Sequence, residues 1–169
     1  MKMNDERVIA AAPDVVWAAL LDADVLKACV PGCQEMSGSA EEGFTATVVQ
    51  KVGPVKATFK GAVTLSNVDA PNSLTLTGEG KGGAAGFAKG SSSVTLVPES
   101  ENTRLVYAVD ASVGGKLAQL GSRLIDSFAK KMADQFFERF QAVVEGTDEE
   151  VEVEVSEEKK GWLARLRGA

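Results

Sequence analysis

The sequence contains no histidine. This absence excludes Ser-His-Asp and Cys-His catalytic arrangements, and it removes a common zinc ligand. It also leaves the chain without the one side chain that ordinarily titrates near neutrality. Most hydrolase and metalloenzyme mechanisms are therefore excluded, and we predict neither a catalytic residue nor a metal site.

Cysteine is scarce, and both copies, Cys29 and Cys33, lie in one short segment on either side of Val-Pro-Gly. Two thiols cannot complete a four-ligand zinc site, and their spacing is one residue longer than that of a C-x-x-C redox pair. The pattern favours two partly buried thiols in a reducing compartment.

Long apolar runs are also missing, and the N-terminus lacks the apolar segment of a signal peptide. We therefore expect a cytoplasmic protein. The net charge of −6 at pH 7 disfavours nucleic acid as a partner, because phosphate binding requires a positive surface.

Two apolar periodicities organise the chain after the short extended segment "ERVIAA". Apolar residues at helical spacing begin at Pro13 and predict one or two short helices that end at Pro31-Gly32. Alternation of apolar and polar residues then predicts five or more short antiparallel strands joined by turns. The alternating segments are 43–52, 55–65, 73–78, 93–97 and 104–111.

After Gly114-Gly115 the apolar residues recur every three or four positions for about thirty residues, which predicts one long helix over the dry face of the sheet. The facing strand residues Ala57 and Gly61 are small, so we expect an elongated apolar cavity between helix and sheet. The predicted lining residues are Phe59, Tyr107, Leu117, Leu120, Leu124, Phe128 and Met132.

The C-terminal part of the chain divides by charge. Residues 147–158 hold seven carboxylates in twelve positions and predict a solvated linker, with an edge strand as the weaker alternative. Residues 159–169 form a basic amphipathic tail that would bind an anionic membrane or, equally, a groove on a partner protein; a functionless end is the third interpretation. The tail residues concerned are Lys159, Lys160, Trp162, Leu163, Arg165, Leu166 and Arg167. Residues 1–146 remain as the ligand-binding domain.

The stretch "GEGKGG" matches the dinucleotide-binding pattern G-x-G-x-x-G, which requires a helix directly after it. Here glycine-rich sequence continues to Gly90, and the next regular segment has a strand pattern. We interpret residues 78–90 as a mobile connection between strands, with a phosphate site as the alternative.

Several stretches of the chain are similar to the CoxG family of carbon monoxide dehydrogenase subunits, within the START-like, or SRPBCC, helix-grip superfamily. They are "PDVVWAALLD", "VPGCQEM", "KVGPVKATFKGAVTL", "GEGKGGAAGFAKGSSSVTL" and "VGGKLAQLGSRLI", in the family's order. The resemblance implies an α+β helix-grip fold, with a curved seven-stranded antiparallel sheet around a long C-terminal helix and two short helices after the first strand. Val30, Pro31, Gly83 and Phe87 would then lie at the cavity mouth.

The resemblance also implies an accessory protein of a molybdenum hydroxylase-type CO dehydrogenase, or a related enzyme, that assists its membrane attachment or maturation. Combined with the predicted cavity, this resemblance suggests a non-catalytic protein that binds a lipid or a quinone-like molecule and requires no other cofactor. Its tail would reach the inner face of the cell membrane. A structural assembly factor without a ligand is the alternative. An enzyme of the superfamily's cyclase or hydrolase kind is a third hypothesis, but the sequence offers it no acid-base pair.

Overall fold

The computed structural model describes residues 1–146, which form one seven-stranded antiparallel sheet and three α-helices. The elements are β1 (Lys2–Ile9), α1 (Pro13–Leu20), α2 (Ala23–Cys29), β2 (Cys33–Ser39), β3 (Gly43–Val52), β4 (Val55–Asp69), β5 (Ser73–Lys81), β6 (Phe87–Glu99), β7 (Asn102–Gly114) and α3 (Ser122–Glu145). The predicted linker and tail, residues 147–169, lie outside the described residues.

The strands lie in the order β1-β7-β6-β5-β4-β3-β2, and every neighbouring pair is antiparallel. Strands β2 to β7 therefore form a meander, and β1 adds to its far edge beside β7. This arrangement confirms the predicted α+β fold, including the two short helices after the first strand and the long C-terminal helix.

Alternating burial on the strands gives the sheet an inner and an outer face. On β4, Val55, Ala57 and Phe59 are half-buried while Lys56 and Thr58 between them are exposed. Successive side chains of a strand point to opposite faces, so this pattern places the apolar set on the inner face towards α3. The period of two in the sequence predicted this division correctly.

The two short helices have identifiable start signals. Pro13 occupies the first turn of α1. A backbone N–H at that position would have no hydrogen-bond partner within the helix, so proline, which lacks one, is tolerated there. The Asp22 carboxylate caps α2 by accepting hydrogen bonds from the backbone N–H groups of Asp24 (2.8 Å) and Val25 (3.2 Å). Helix α2 then packs on β2 and α3.

The turns define two ends of the molecule. The open end holds the β3–β4 turn at Gly53-Pro54, the β5–β6 connection, and the residues that lead from β7 into α3. The first turn of α3 lies at this end too, because a Cβ on Gly53 would lie 2.8 Å from Leu124 Cδ2. The closed end holds the other three strand turns and the C-terminus of α3, where the Ala10 N–H donates to Glu145 Oε2 at 2.9 Å.

The long helix is shorter than predicted. β7 continues to Gly114 and a 3₁₀ turn follows at Gly115–Leu120, so α3 has 24 residues and a length of about 36 Å. Gly115 (φ 71°) and Gly121 (φ 90°) take backbone conformations that interrupt an α-helix. The apolar spacing of Leu117 and Leu120 resembles that of a helix, because a 3₁₀ turn also repeats every three residues.

The predicted mobile connection over residues 78–90 is also wrong in extent. Gly78 and Gly80 belong to β5 and Gly90 belongs to β6, so only residues 82–86 connect the strands. Gly78 pairs directly with Gly90 in the register of these strands. Glycines carry no side chain to reveal a period of two, which is why the sequence pattern failed here. Within the described residues, a three-residue 3₁₀ turn (Gly83–Ala85) and then β6 follow the glycine-rich stretch, in place of the α-helix whose N-terminus would hold a phosphate.

Candidate functional site

The inner face of the sheet changes character along its strands. Towards the closed end it carries large side chains that are almost fully buried, among them Leu74, Leu96 and Leu105. Towards the open end it carries five small residues that are all half-exposed. This small-residue patch consists of Ala46, Ala57, Gly61, Gly80 and Ala88.

One glycine at the centre of the small-residue patch, Gly80, borders a gap above the sheet, whereas a Cβ on Gly61 would lie 3.3 Å from the Glu79 carbonyl oxygen. Gly61 on β4 lies opposite Gly80 on β5. A Cβ built on Gly80 would meet nothing within 4 Å. Protein interiors are normally packed without voids, so open space beside an inner-face residue marks a place that the fold leaves unfilled.

Helix α3 shows the same division along its length. Phe137, Phe140, Val143 and Val144 in its second half are buried, and Phe140 is fully inaccessible. The apolar residues of its first half, such as Phe128 and Met132, are only half-buried. Helix α3 therefore has a packed second half and a first half whose apolar side chains are partly exposed.

The structure distributes the predicted lining residues between this space and the core. Phe59 is half-buried and lies close to Gly82, where an added Cβ would approach its Cε1 atom to 2.5 Å. Leu117 is buried and Leu120 is half-buried in the 3₁₀ turn, so both precede α3. Leu124 is 37% exposed on the first turn of the helix.

Tyr107 occupies a different position from the other predicted lining residues. It belongs to the closed-end core, is 4% exposed, and stacks on Phe137 with ring centroids 4.8 Å apart. The structure therefore places Tyr107 in the packed core, next to aromatic rings.

The four predicted mouth residues lie in two segments near the open end. Val30 and Pro31 follow α2, and the Gln50 side-chain amide donates to the Pro31 carbonyl at 2.6 Å, which ties this segment to β3. Gly83 lies in the β5–β6 connection, and Phe87 begins β6 with 39% of its surface exposed. Pro31 is itself buried, so the other three residues border the surface more directly.

A polar cluster joins β1 to α3 beside the closed-end core. Arg7 forms an ion pair with Asp134 at 3.2 Å and lies over the Phe137 ring, 5.6 Å from its centroid. The hydrogen bond from Lys130 Nζ (2.8 Å), with a further contribution from Arg7, lowers the pKa of the Asp134 carboxyl. A carboxylate held ionised in this way is suited to pairing with cations and unsuited to donating a proton.

The two cysteines are free, with Cys29 buried and Cys33 partly exposed. Burial raises the pKa of the Cys29 thiol to about 12 and also raises that of Cys33. Because the thiolate is the reactive form, this environment makes Cys29 unreactive.

Comparison with known proteins adds a sequence relationship to this geometry. The model of the CoxG family of carbon monoxide dehydrogenase subunits matches residues 6–145. The chain belongs to the CoxG family. No curated protein matches the CoxG-family chain.

Solved structures share the fold of this CoxG-family chain. A conserved protein from Geobacillus kaustophilus is 27% identical, with a TM-score of 0.77 over 83% of this chain and 93% of that chain. Protein MLL2253 from Mesorhizobium loti is 18% identical, with a TM-score of 0.63 over 88% and 99% of the two chains. TTHA0849 from Thermus thermophilus is 21% identical, with a TM-score of 0.56 over 84% and 98%. The last two similarities concern the fold alone.

The outer face of the CoxG-family sheet carries grooves of a different kind. One of about 570 Å³ is bordered by Thr45, Thr47 and Lys60, and also by Ala46 and Gly61 of the small-residue patch. A neighbouring groove of about 520 Å³ is bordered by Thr77 and Ser91, among others. Hydroxyl and charged groups suit water or a polar surface better than an apolar molecule.

The described part of the CoxG-family chain shows two further absences. None of its helices has the length and apolarity needed to cross a bilayer. Within residues 1–146, no three Cys, Asp or Glu side chains come together in a group that could hold a metal ion.

The cavity-lining role of Phe128 and Met132 stays a prediction, and the sequence reasoning did not include Gly80 and Ala88. These two residues lie in the stretch interpreted as a connection, where glycines conceal the strand period. The available signal was the pattern of small residues at every second position from Gly78 to Gly82, which is typical of one face of a strand.

Proposed function

We propose that this CoxG-family protein is a non-catalytic accessory protein of a molybdenum hydroxylase-type CO dehydrogenase or a related enzyme. In this proposal it binds an elongated apolar molecule, a lipid or a quinone-like compound, between the small-residue patch and the first half of α3. The observation that carries the proposal is the open space above Gly80, bordered by half-exposed apolar side chains.

The energetics favour an apolar occupant. Apolar surface left in contact with water costs about 25 cal/mol per Å², so a ligand that covers Phe59, Leu120, Phe128 and Met132 would recover this free energy. The small-residue patch supplies width, since Gly and Ala leave the backbone within reach of the ligand. The polar cluster around Arg7 and the residues of the open end would meet the polar parts of such a molecule.

The tail would act as a tether to the inner face of the cell membrane. It follows Gly146 at the closed end, whereas the ligand space opens at the other end. Residues 147–158 can reach at most about 40 Å when extended, which is comparable to the roughly 36 Å length of α3. The basic tail could therefore contact a membrane that faces either end of the domain.

The space above Gly80 can be tested by filling it. We expect Gly80→Val to weaken binding of decylubiquinone and of 1-pyrenedodecanoic acid by roughly tenfold, which corresponds to about 1.4 kcal/mol of lost contact. Thr77→Val is the matched control, because it introduces the same side chain on the outer face of the same strand. Fluorescence titration of the full chain measures both affinities.

Unchanged affinity in Gly80→Val would contradict the assignment of the ligand space. Organic extraction of the purified full chain, followed by mass spectrometry, provides a second readout. A bound lipid or quinone in the unaltered protein that is depleted in Gly80→Val would support the proposal.

A structural assembly factor without a ligand is the second candidate function. It is favoured by the closed-end core, where Phe140, Ile9 and Leu105 are fully buried, and by the polar grooves that an outer surface could offer to an enzyme. In that case the extract contains no ligand, and Gly80→Val supports maturation of the dehydrogenase as well as the unaltered protein does.

A further inference from the structure

The open end of the domain concentrates positive charge. Four segments at or next to this end, 27–34, 51–60, 80–90 and 113–125, contain eight exposed Lys or Arg residues. The eight are Lys27, Lys51, Lys56, Lys60, Lys81, Lys89, Lys116 and Arg123. Fewer carboxylates lie at the same level of the domain: Glu79 opposite Lys89, Asp110 opposite Lys2, and Asp126 on the first turns of α3. This basic end is unexpected in a chain whose net charge is −6.

The closed end has the opposite charge. Its strand turns at residues 40–42, 69–72 and 99–102 contain five carboxylates and no Lys or Arg. They are Glu41, Glu42, Asp69, Glu99 and Glu101. The described domain is therefore polarised along its strands, so an anionic surface would attract the open end and repel the closed end.

Strand register adds an unfavourable feature at the basic end. Lys51 lies directly opposite Lys56 across the β3–β4 pair, and Lys60 lies opposite Lys81 across the β4–β5 pair. Like charges in directly opposite positions destabilise a sheet. Glu79 offsets part of this repulsion through an exposed ion pair with Lys81 at 3.5 Å. An anionic partner would remove the remaining cost.

Exposed apolar groups lie among these cations. Phe87 is 39% exposed and Leu124 is 37% exposed at this end. The other exposed large apolar residues of the described chain, Val8, Val68 and Val97, lie near the closed end. The Phe87 ring lies against the backbone of Gly114, which holds it at the surface. Apolar side chains surrounded by cations are typical of surfaces that bind the headgroup region of an anionic bilayer.

We infer that the open end of the domain is itself a docking surface for an anionic lipid bilayer, independently of the C-terminal tail. Docked in this way, the mouth of the ligand space faces the membrane, so an apolar ligand passes between protein and bilayer without crossing water. The role in ligand exchange rests on the proposed function, whereas the docking itself rests on the charge distribution and the exposed apolar side chains.

Hydrogen exchange of the full chain with phosphatidylglycerol vesicles tests the docking surface. We expect protection of residues 51–60 and 80–90, none at residues 69–72 and 99–102, and loss of protection in high salt or with phosphatidylcholine vesicles. Protection confined to residues 159–169 would overturn the inference, because the tail alone would then hold the protein. If only the purified dehydrogenase protects the open end, the surface binds protein and the lipid assignment is wrong.

Charge-neutralised variants make the test quantitative. Lys51→Gln combined with Lys56→Gln is expected to lower the vesicle partition coefficient roughly 25-fold, because each cation at an anionic surface contributes about a factor of five. The control, Lys131→Gln with Arg139→Gln, changes the net charge equally at exposed positions further along α3. Equal weakening by both pairs would show only diffuse attraction and would overturn the inference.

Decylubiquinone binding by the same variants separates the two proposals. Unchanged binding with reduced vesicle affinity supports docking at the open end. Absence of any apolar ligand in the unaltered protein, together with protection at the open end, would contradict the proposed function and leave the docking surface in place.

Discussion

At the scale of single residues, glycines have two opposite roles in the sheet. Gly80 borders empty space, whereas a Cβ on Gly90, in the next strand, would lie 2.5 Å from the Asp110 carbonyl oxygen. One glycine thus leaves room for another molecule, and the other permits close approach of two strands. The same residue type therefore indicates a ligand space at one position and tight packing at the other.

The cysteines give a prediction that depends on pH. The folded pKa of Cys29, about 12, lies above its ordinary value of 9.0, so burial of the neutral thiol contributes to stability below pH 9 and that contribution is lost as pH rises towards 12. We expect iodoacetamide to modify Cys33 in the native protein and Cys29 only after unfolding. Mass spectrometry of alkylated protein measures this order, and Cys29→Ala should flatten the loss of stability above pH 9. Rapid modification of native Cys29 would contradict the burial argument.

At the scale of elements, α3 combines a packed half and a half that would border the proposed ligand space. Phe140 stacks on Phe136, and both belong to the packing around the closed-end core. Phe128, three turns earlier, is half-buried beside the open space. The helix therefore stabilises the fold through one half and leaves the other half available to a ligand.

This division predicts different costs for the same substitution. Phe140→Ala should lower the free energy of unfolding by about 3–5 kcal/mol, because it creates a cavity in a packed core. Phe128→Ala should lower it by roughly 1 kcal/mol, since part of that side chain is already accessible to water. Ligand affinity should respond in the reverse order, with Phe128→Ala the more damaging change among folded proteins. Denaturant titration and fluorescence binding measure the two effects, and equal stability losses would contradict the division of α3.

At the scale of the whole molecule, the exposed cations and the proposed ligand space lie at the same end of the domain. The space above the small-residue patch opens at the end that carries Lys51, Lys56 and Lys81, and the acidic turns lie at the opposite end. A domain polarised in this way orients itself before contact, because long-range attraction acts on its dipole.

The tail and the basic end should then bind the same bilayer together. Trp162→Ala with Leu166→Ala, made in the full chain, should weaken binding to phosphatidylglycerol vesicles, since these two residues are the predicted apolar anchors of the tail. Combining them with Lys51→Gln and Lys56→Gln should multiply the two losses, as expected for contacts at separate sites on one surface. Vesicle co-sedimentation measures all four proteins. If the tail variant binds as well as the unaltered chain, the membrane role of the tail is wrong and its docking to a partner protein becomes the better hypothesis.

Local patterns in the sequence determined much of this protein. The absence of histidine excluded whole classes of chemistry, and the alternation of apolar and polar residues located five of the seven strands. The five family-like stretches indicated the helix-grip fold. These features are readable because each depends on residues close together in the chain. The start of α3 and the extent of β5 and β6 were misjudged where glycine or a 3₁₀ turn obscures the period. Only the tertiary structure decided that Gly80, opposite Gly61, borders open space, and that four basic segments meet at one end. Both features arise from antiparallel pairing, which brings residues tens of positions apart into contact through a register that no local pattern encodes.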